Sequence, residues 1–233
     1  MAPNNPALRR TFIFQGILTG LFAFVLFVAP MPVSAQSAPA ESKNTTDTFL
    51  PDYISFIETV QNGEKGVLRG VYVPGVFALP IVQQPIGYPG YVSPNNDEIT
   101  QVRMASDVGN VGLLAHNYLS GTLFVNLKPG DEVRLIYGDG AVEYFVVEEI
   151  LQYQALQPYS PTSDFRDLAT DATISVEELF RRVYRGERHV TFQTCIEAYG
   201  NSSWGRLFII AKPKLFPYVE QQYIRDHLLT FFQ

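Results

Sequence analysis

A single cysteine, Cys195, stands in the stretch H-V-T-F-Q-T-C-I-E-A-Y-G-N-S-S-W-G-R-L-F-I-I-A, and an arginine, Arg206, follows it eleven positions on. A thiolate is a strong nucleophile, and it needs a base or a cationic partner to form near neutral pH. A guanidinium aimed at a reacting carbonyl stabilises the oxyanion of a tetrahedral intermediate. Each residue also has a plain structural use. A lone cysteine fills a core well, and an arginine at the start of an apolar strand can simply keep its head in water. Three histidines could serve Cys195: His116, His189 and His227. His189 lies six residues back on the same expected strand. That is about 20 Å away, and it reads as a solvated strand start after the charged Arg185-Gly-Glu-Arg188. His227, beside Arg225 and Asp226, reads as part of a solvated helix face. His116 ends a short apolar run and precedes a loop containing Ser and Gly, from which a side chain can face a groove. A satisfied structural histidine at a strand end is the other reading of it.

The elements that must position these residues are mostly strands. The runs 190–196 and 206–211 are apolar and β-prone, joined by a Gly/Asn/Ser loop. Alternation sets Val190 and Phe192 on one face and Thr191, Gln193 and Cys195 on the other. The thiol therefore belongs to the more polar side of its strand, near the end. Upstream, Leu50 to Val60 reads as a short amphipathic helix with Pro51 at its start and Leu50, Ile54, Ile57 and Val60 on one side. Gly66 to Val82, broken by Gly70, Pro74, Gly75 and Pro80, suggests two short bent strands. A long Pro/Gly loop fills 83–96, and 98–105 reads as an irregular strand. Val111 to Ala115 has the continuous apolar character of a buried strand. Residues 132–137 and 141–153, around Gly138-Asp139-Gly140, form the clearest hairpin.

Residues 157–173 read as a polar loop, long enough to suggest a function. A helix follows, opened by a capping box of Ser175 and Glu178 and a hydrophobic staple of Ile174 and Leu179. It presents Val176, Leu179, Phe180 and Val183, and Gly186 ends it. Tyr218 to Phe232 has the pattern of a second amphipathic helix. Many strands with late helical insertions make one closed or nearly closed β-barrel the economical architecture.

Composition excludes several classes. The chain has 233 residues, 46% hydrophobic, and a formal net charge of -6. It can bury a sizeable core without staples. Arg9 and Arg10 are the only charges in the first 35 residues; without them 15 basic residues face 23 acidic ones. With no basic cluster, nucleic-acid binding is not expected. One cysteine precludes an intrachain disulfide and a thiolate zinc site. The two arginines precede an uncharged run from Thr11 to Ala29, then Pro30, Pro32 and V-S-A ending at Ala35. That is a secretory signal or, at 19 residues, a membrane anchor. Either outcome places the remainder outside the cytoplasm. The stretch 36–49 reads as a linker.

Taken together the motifs resemble the sortases, a family of extracellular cysteine transpeptidases. T-F-Q-T-C at 191–195 is similar to the family's T-L-x-T-C strand end, and R-L-F-I-I-A at 206–211 to the strand opened by its conserved arginine. L-L-A-H at 113–116 resembles the strand that delivers its histidine. F-V-N-L-K-P-G-D at 124–131 and V-Y-V-P-G at 71–75 resemble two further segments. The resemblance implies a mainly β fold: a closed β-barrel of about eight strands with short peripheral helices over 66–212. A helix and turn at 50–65 would precede it and a helical extension at 213–233 would follow. It implies Cys195 as nucleophile, His116 as acid and base, Arg206 as oxyanion or backbone donor, and neither metal nor organic cofactor. The expected partners are a secreted protein bearing a sorting motif and an amine acceptor, either peptidoglycan or a pilin lysine. A cysteine hydrolase without an acceptor amine and an inactive envelope binding module are the competing readings.

Overall fold

The computed structural model describes residues 51–215. The expected signal or anchor, the linker, Leu50 and the helix at 218–232 with His227 lie outside the described residues. Ten strands form one sheet: β1 (Leu68–Val73), β2 (Phe77–Gln83), β3 (Ile99–Val102), β4 (Val111–Leu114), β5 (Glu132–Tyr137), β6 (Val142–Ala155), β7 (Phe165–Asp167), β8 (Thr173–Ile174), β9 (Val190–Ala198) and β10 (Asn201–Pro213). Their order is β10-β9-β4-β3-β2-β1-β5-β6-β7-β8, and a further pairing of β10 with β6 closes the first eight into a barrel. Closure leaves those eight strands without a free edge. The pairs β2–β3 and β4–β9 are parallel, and the others are antiparallel.

Alternation along each strand fills the interior. Val71, Val73, Leu79, Ile81, Leu113, Val133, Leu135, Phe145, Val147, Val190, Phe192, Leu207 and Ile209 share one buried cluster. Phe192 lies at its centre, 5.3 Å edge-on from Phe124 and 6.0 Å from Phe77 between ring centroids. The continuous apolar run of β10 has a direct cause. Leu207, Ile209 and Ala211 face the barrel interior, whereas Phe208 packs outward into a second cluster with Leu179, Val183 and Tyr184. A strand covered on both faces needs no polar alternation.

That second cluster lies under helix α3 (Val176–Tyr184), whose capping box of Ser175 and Glu178 is present as expected. Ile174 packs on the same cluster as Leu179. Helix α1 (Tyr53–Val60) begins later than the sequence suggests, with Asp52 as its cap. Its inward residues are Phe56 and Val60, joined by the partly buried Tyr53 and Ile57. Ile54, expected inside, is 59% exposed. Starting the helix at Tyr53 puts positions 53, 56, 57 and 60 on one stripe and turns 54 away. The guanidinium of Arg134 on β5 sits 4.3 Å above the Tyr53 ring and holds the helix to the barrel.

Two loop readings change. The strand expected over 98–105 stops at Val102, and Arg103–Ser106 forms one turn of helix, α2. The last β3–β4 pair is Val102 with Gly112, so no ladder partner remains beyond it. The polar loop expected over 157–173 contains β7 and β8, which extend the sheet from the end of β6. Strands of three and two residues are too short to show a period.

Candidate active site

Register builds the site. In the β9–β10 ladder Cys195 is the direct partner of Arg206. In the parallel β4–β9 pair Leu114 is level with Gln193. The chain continues alongside β9 past the end of β4, with Ala115 N–H donating to Gln193 O at 3.3 Å. Cys195 and Arg206 thus share one ladder rung, and carrying the β4–β9 register two residues past its last pair sets His116 in the same transverse row. All three fall on the outer face, since Leu113, Phe192 and Leu207 point into the barrel. The row continues to Tyr153 on β6 and Asp167 on β7.

The polar face of β9 is not an open groove along its length. Thr191 is fully buried and its hydroxyl donates to Val183 O of α3. The Tyr184 hydroxyl donates to the Gln193 side chain, and burial pushes that phenol above its ordinary range. Helix α3 therefore covers the strand as far as Gln193, and Cys195 is the first outward residue beyond it. The thiol is free and half-buried. Two surface cavities, of about 320 Å³ and 440 Å³, lie along α3 and the segment that follows it; Cys195 lines neither. The candidate nucleophile stands on the outer face of the sheet, just beyond what α3 covers.

Arg206 does not open its strand. β10 begins at Asn201, but its ladder with β9 breaks after that residue and resumes at Gly205. The guanidinium is half-buried and anchored to main chain: Nη1 donates to Ser203 O at 3.0 Å and to Gly205 O at 2.9 Å, and Nη2 to Pro158 O at 3.5 Å. A guanidinium has five N–H groups. Among the described residues three are used, which fixes the fork and leaves donors for a ligand.

The other histidines part company here. His189, read from sequence as solvated, is 6% exposed. Its Nδ1 lies 2.7 Å from Glu187 O and its Nε2 2.9 Å from Val183 O. The chain turns back from α3 into β9 and wraps the ring in its own carbonyls, so this is a structural histidine. His116 has no such partners among the described residues. Its ring stacks on Tyr118 at 5.1 Å with an interplanar angle of 18°.

Sequence reasoning missed the residues that hold His116. Thr194 Oγ1 donates to Ala115 O at 2.9 Å. Asn117 Nδ2 donates to Ser202 O at 3.0 Å and ties the loop to β10. Gly121 and Leu119 each donate a backbone N–H to His116 O at 3.0 Å. The only available signals were the threonine next to Cys195 and the Ser120-Gly121 pair; nothing marked Tyr118. Among the described residues no group of three His, Cys, Asp or Glu side chains converges to hold a metal ion.

No protein-family model matches the sequence, and no curated protein matches it. Among solved structures the chain is similar to sortase A of Listeria monocytogenes, at 16% identity over 67% of this chain and 96% of that chain with a TM-score of 0.40. It is similar to sortase C1 of Streptococcus suis at 14% identity, over 72% and 81% of the two chains, with a TM-score of 0.44. Sortase C of Clostridium perfringens SM101 shares 15% identity over 70% and 83%, with a TM-score of 0.39.

Proposed function

We propose that this protein is a sortase-like cysteine transpeptidase. The single observation that supports this most is the row of His116, Cys195 and Arg206, drawn by strand register from three separate parts of the chain onto the outer face of the sheet. The Cys195 thiolate attacks the carbonyl carbon of a scissile peptide bond. The developing oxyanion or the adjacent substrate backbone accepts hydrogen bonds from Arg206. The tetrahedral intermediate collapses, the C–N bond breaks, and His116 as imidazolium gives its proton to the leaving amine. A thioester links the acyl fragment to Cys195. An acceptor amine attacks that carbonyl and gives up a proton to the now neutral His116, and the thiolate leaves. No step calls for a metal or an organic cofactor.

The substrates in this reading are a secreted protein with a sorting motif and an amine from peptidoglycan or a pilin lysine. The work is done on the outer side of the cell envelope. The basic, then apolar, then small-residue N-terminal sequence supports that compartment. Among the described residues no helix is long and apolar enough to cross a membrane.

The test is a thioester trap. Candidate sorting peptides are incubated with the protein, and the mass of the Cys195 peptide is read with and without added amine. A thioester adduct that disappears into an amide product on adding amine supports transpeptidation. An adduct resolved only by water points to a hydrolase, and an unmodified thiol with every peptide rejects the proposal.

A further inference from the structure

The turn after β4 fixes the backbone of His116, and among the described residues the aromatic ring packed on its imidazole is that of Tyr118. The carbonyls of Ala115 and His116 accept three hydrogen bonds, from Thr194 Oγ1 and from the N–H groups of Leu119 and Gly121. A Cβ added to Gly121 would lie 2.4 Å from Thr194 Oγ1, 2.6 Å from His116 O and 2.8 Å from Ala115 O. Two of those atoms are main chain and cannot swing aside, so only glycine fits and the turn closes tightly. What freedom His116 keeps is rotation about its side-chain bonds.

Neither ring nitrogen of His116 has a hydrogen-bond partner among the described residues, in contrast to His189 with both engaged. Its ring contact is the face of Tyr118. Tyr118 is 68% exposed and belongs to none of the buried clusters. An aromatic ring left in water and laid against one histidine is not there for the core. Parallel stacking constrains the imidazole plane and leaves both nitrogens free. A group that must first give a proton to the leaving amine and then take one from the acceptor needs that freedom.

We propose that Tyr118 is a positioning residue for His116, setting the plane of the imidazole beside Cys195 through its aromatic face. This rests on His116 as the acid and base of the reaction above. The experiment compares the full-length wild type with Tyr118→Phe and Tyr118→Leu. Both variants alter an exposed side chain, and a thermal melt confirms that they fold. With the peptide and amine that turn over in the thioester assay, Tyr118→Leu is expected to lower kcat about ten-fold, as misplacement of a reacting group does. KM should stay within about two-fold, because ground-state binding is untouched. Tyr118→Phe should retain wild-type kcat. In NMR spectra the His116 ring protons should show an upfield ring-current shift that survives in Tyr118→Phe and is lost in Tyr118→Leu.

Unchanged kcat in Tyr118→Leu overturns the proposal. So does an equal loss in both variants, which would assign the effect to the hydroxyl. A rise in KM at constant kcat overturns it too, making Tyr118 a substrate contact. Absence of the ring-current shift in wild type removes its structural basis. The NMR readout needs no turnover. A wild type inert toward peptides but with the shift intact therefore locates the failure in the chemistry, and Tyr118 then has no catalytic group to position.

Discussion

Cys195 and Arg206 face each other across one ladder rung, yet their substitutions should fail differently. Cys195→Ala is expected to abolish the thioester adduct while leaving the melting curve unchanged, because the side chain is half-buried on the outer face and fills no core site. Mass spectrometry at residue 195 and a thermal melt check it; an acyl adduct formed elsewhere at the wild-type rate would assign the nucleophile to another group. Arg206→Lys keeps the charge but not the planar fork. The acylation rate is expected to fall by about 10²-fold, the loss typical of one oxyanion donor. Single-turnover acylation at saturating peptide measures it, and a rate within a factor of about two of wild type would reject the geometric role. Both residues stood out as candidates by type and spacing. The neighbours that touch Arg206 and His116 did not. Tyr118, Gly121 and Pro158 act through a ring face, a missing Cβ and a carbonyl, none of which is a property of residue type.

At the scale of elements, helix α3 decides how far the outer face of β9 is covered. It covers Thr191 and Gln193 and stops short of Cys195, so its stability bears on the site. Ser175→Ala removes the cap side chain that accepts from Glu178 N–H. That should cost about 1 kcal/mol, read from urea unfolding, and raise hydrogen exchange at the first turn of α3. Elsewhere in the barrel, Glu132 ties β5 to Lys214, just past the end of β10. Burial opposes its charge, but hydrogen bonds from Lys214 and Arg134 outweigh that and hold the carboxyl below the usual carboxylate range. A depressed folded value means its stabilising contribution is full above the unfolded pKa, about 4.3, and is lost as pH falls through the folded one. Glu132→Gln should therefore flatten the acid side of the stability curve below about pH 5. Parallel acid limbs in denaturant titrations of the two proteins would show that Glu132 does not contribute. The capping box was legible because its residues are local. The covering of the polar face of β9 was not, because it depends on where helix α3 comes to rest after the turn that joins it to the strand.

The described residues close into a barrel, and its β10-β9-β4 run of neighbouring strands puts three distant segments side by side. Its interior centres on Phe192, the residue between Thr191 and Gln193 that carries no chemistry. Phe192→Ala empties the contact with Phe77 and Phe124 and should cost about 3–5 kcal/mol. The urea midpoint should fall while the m-value holds; a loss under about 1 kcal/mol would mean that the core refills the gap. The sequence by itself determined the mainly β class, the strand that carries Cys195, the apolar strand with Arg206 and the capped helix between hairpin and site, because period, caps and turn residues act within a few positions. Only the tertiary structure decided which histidine is structural and which stands level with the thiol. His189 and His116 both adjoin apolar strands, and no local pattern separates them. The register that brings His116 toward the thiol relates residues dozens of positions apart, and the loop that encloses His189 does so through carbonyls, which every residue carries and no residue type marks.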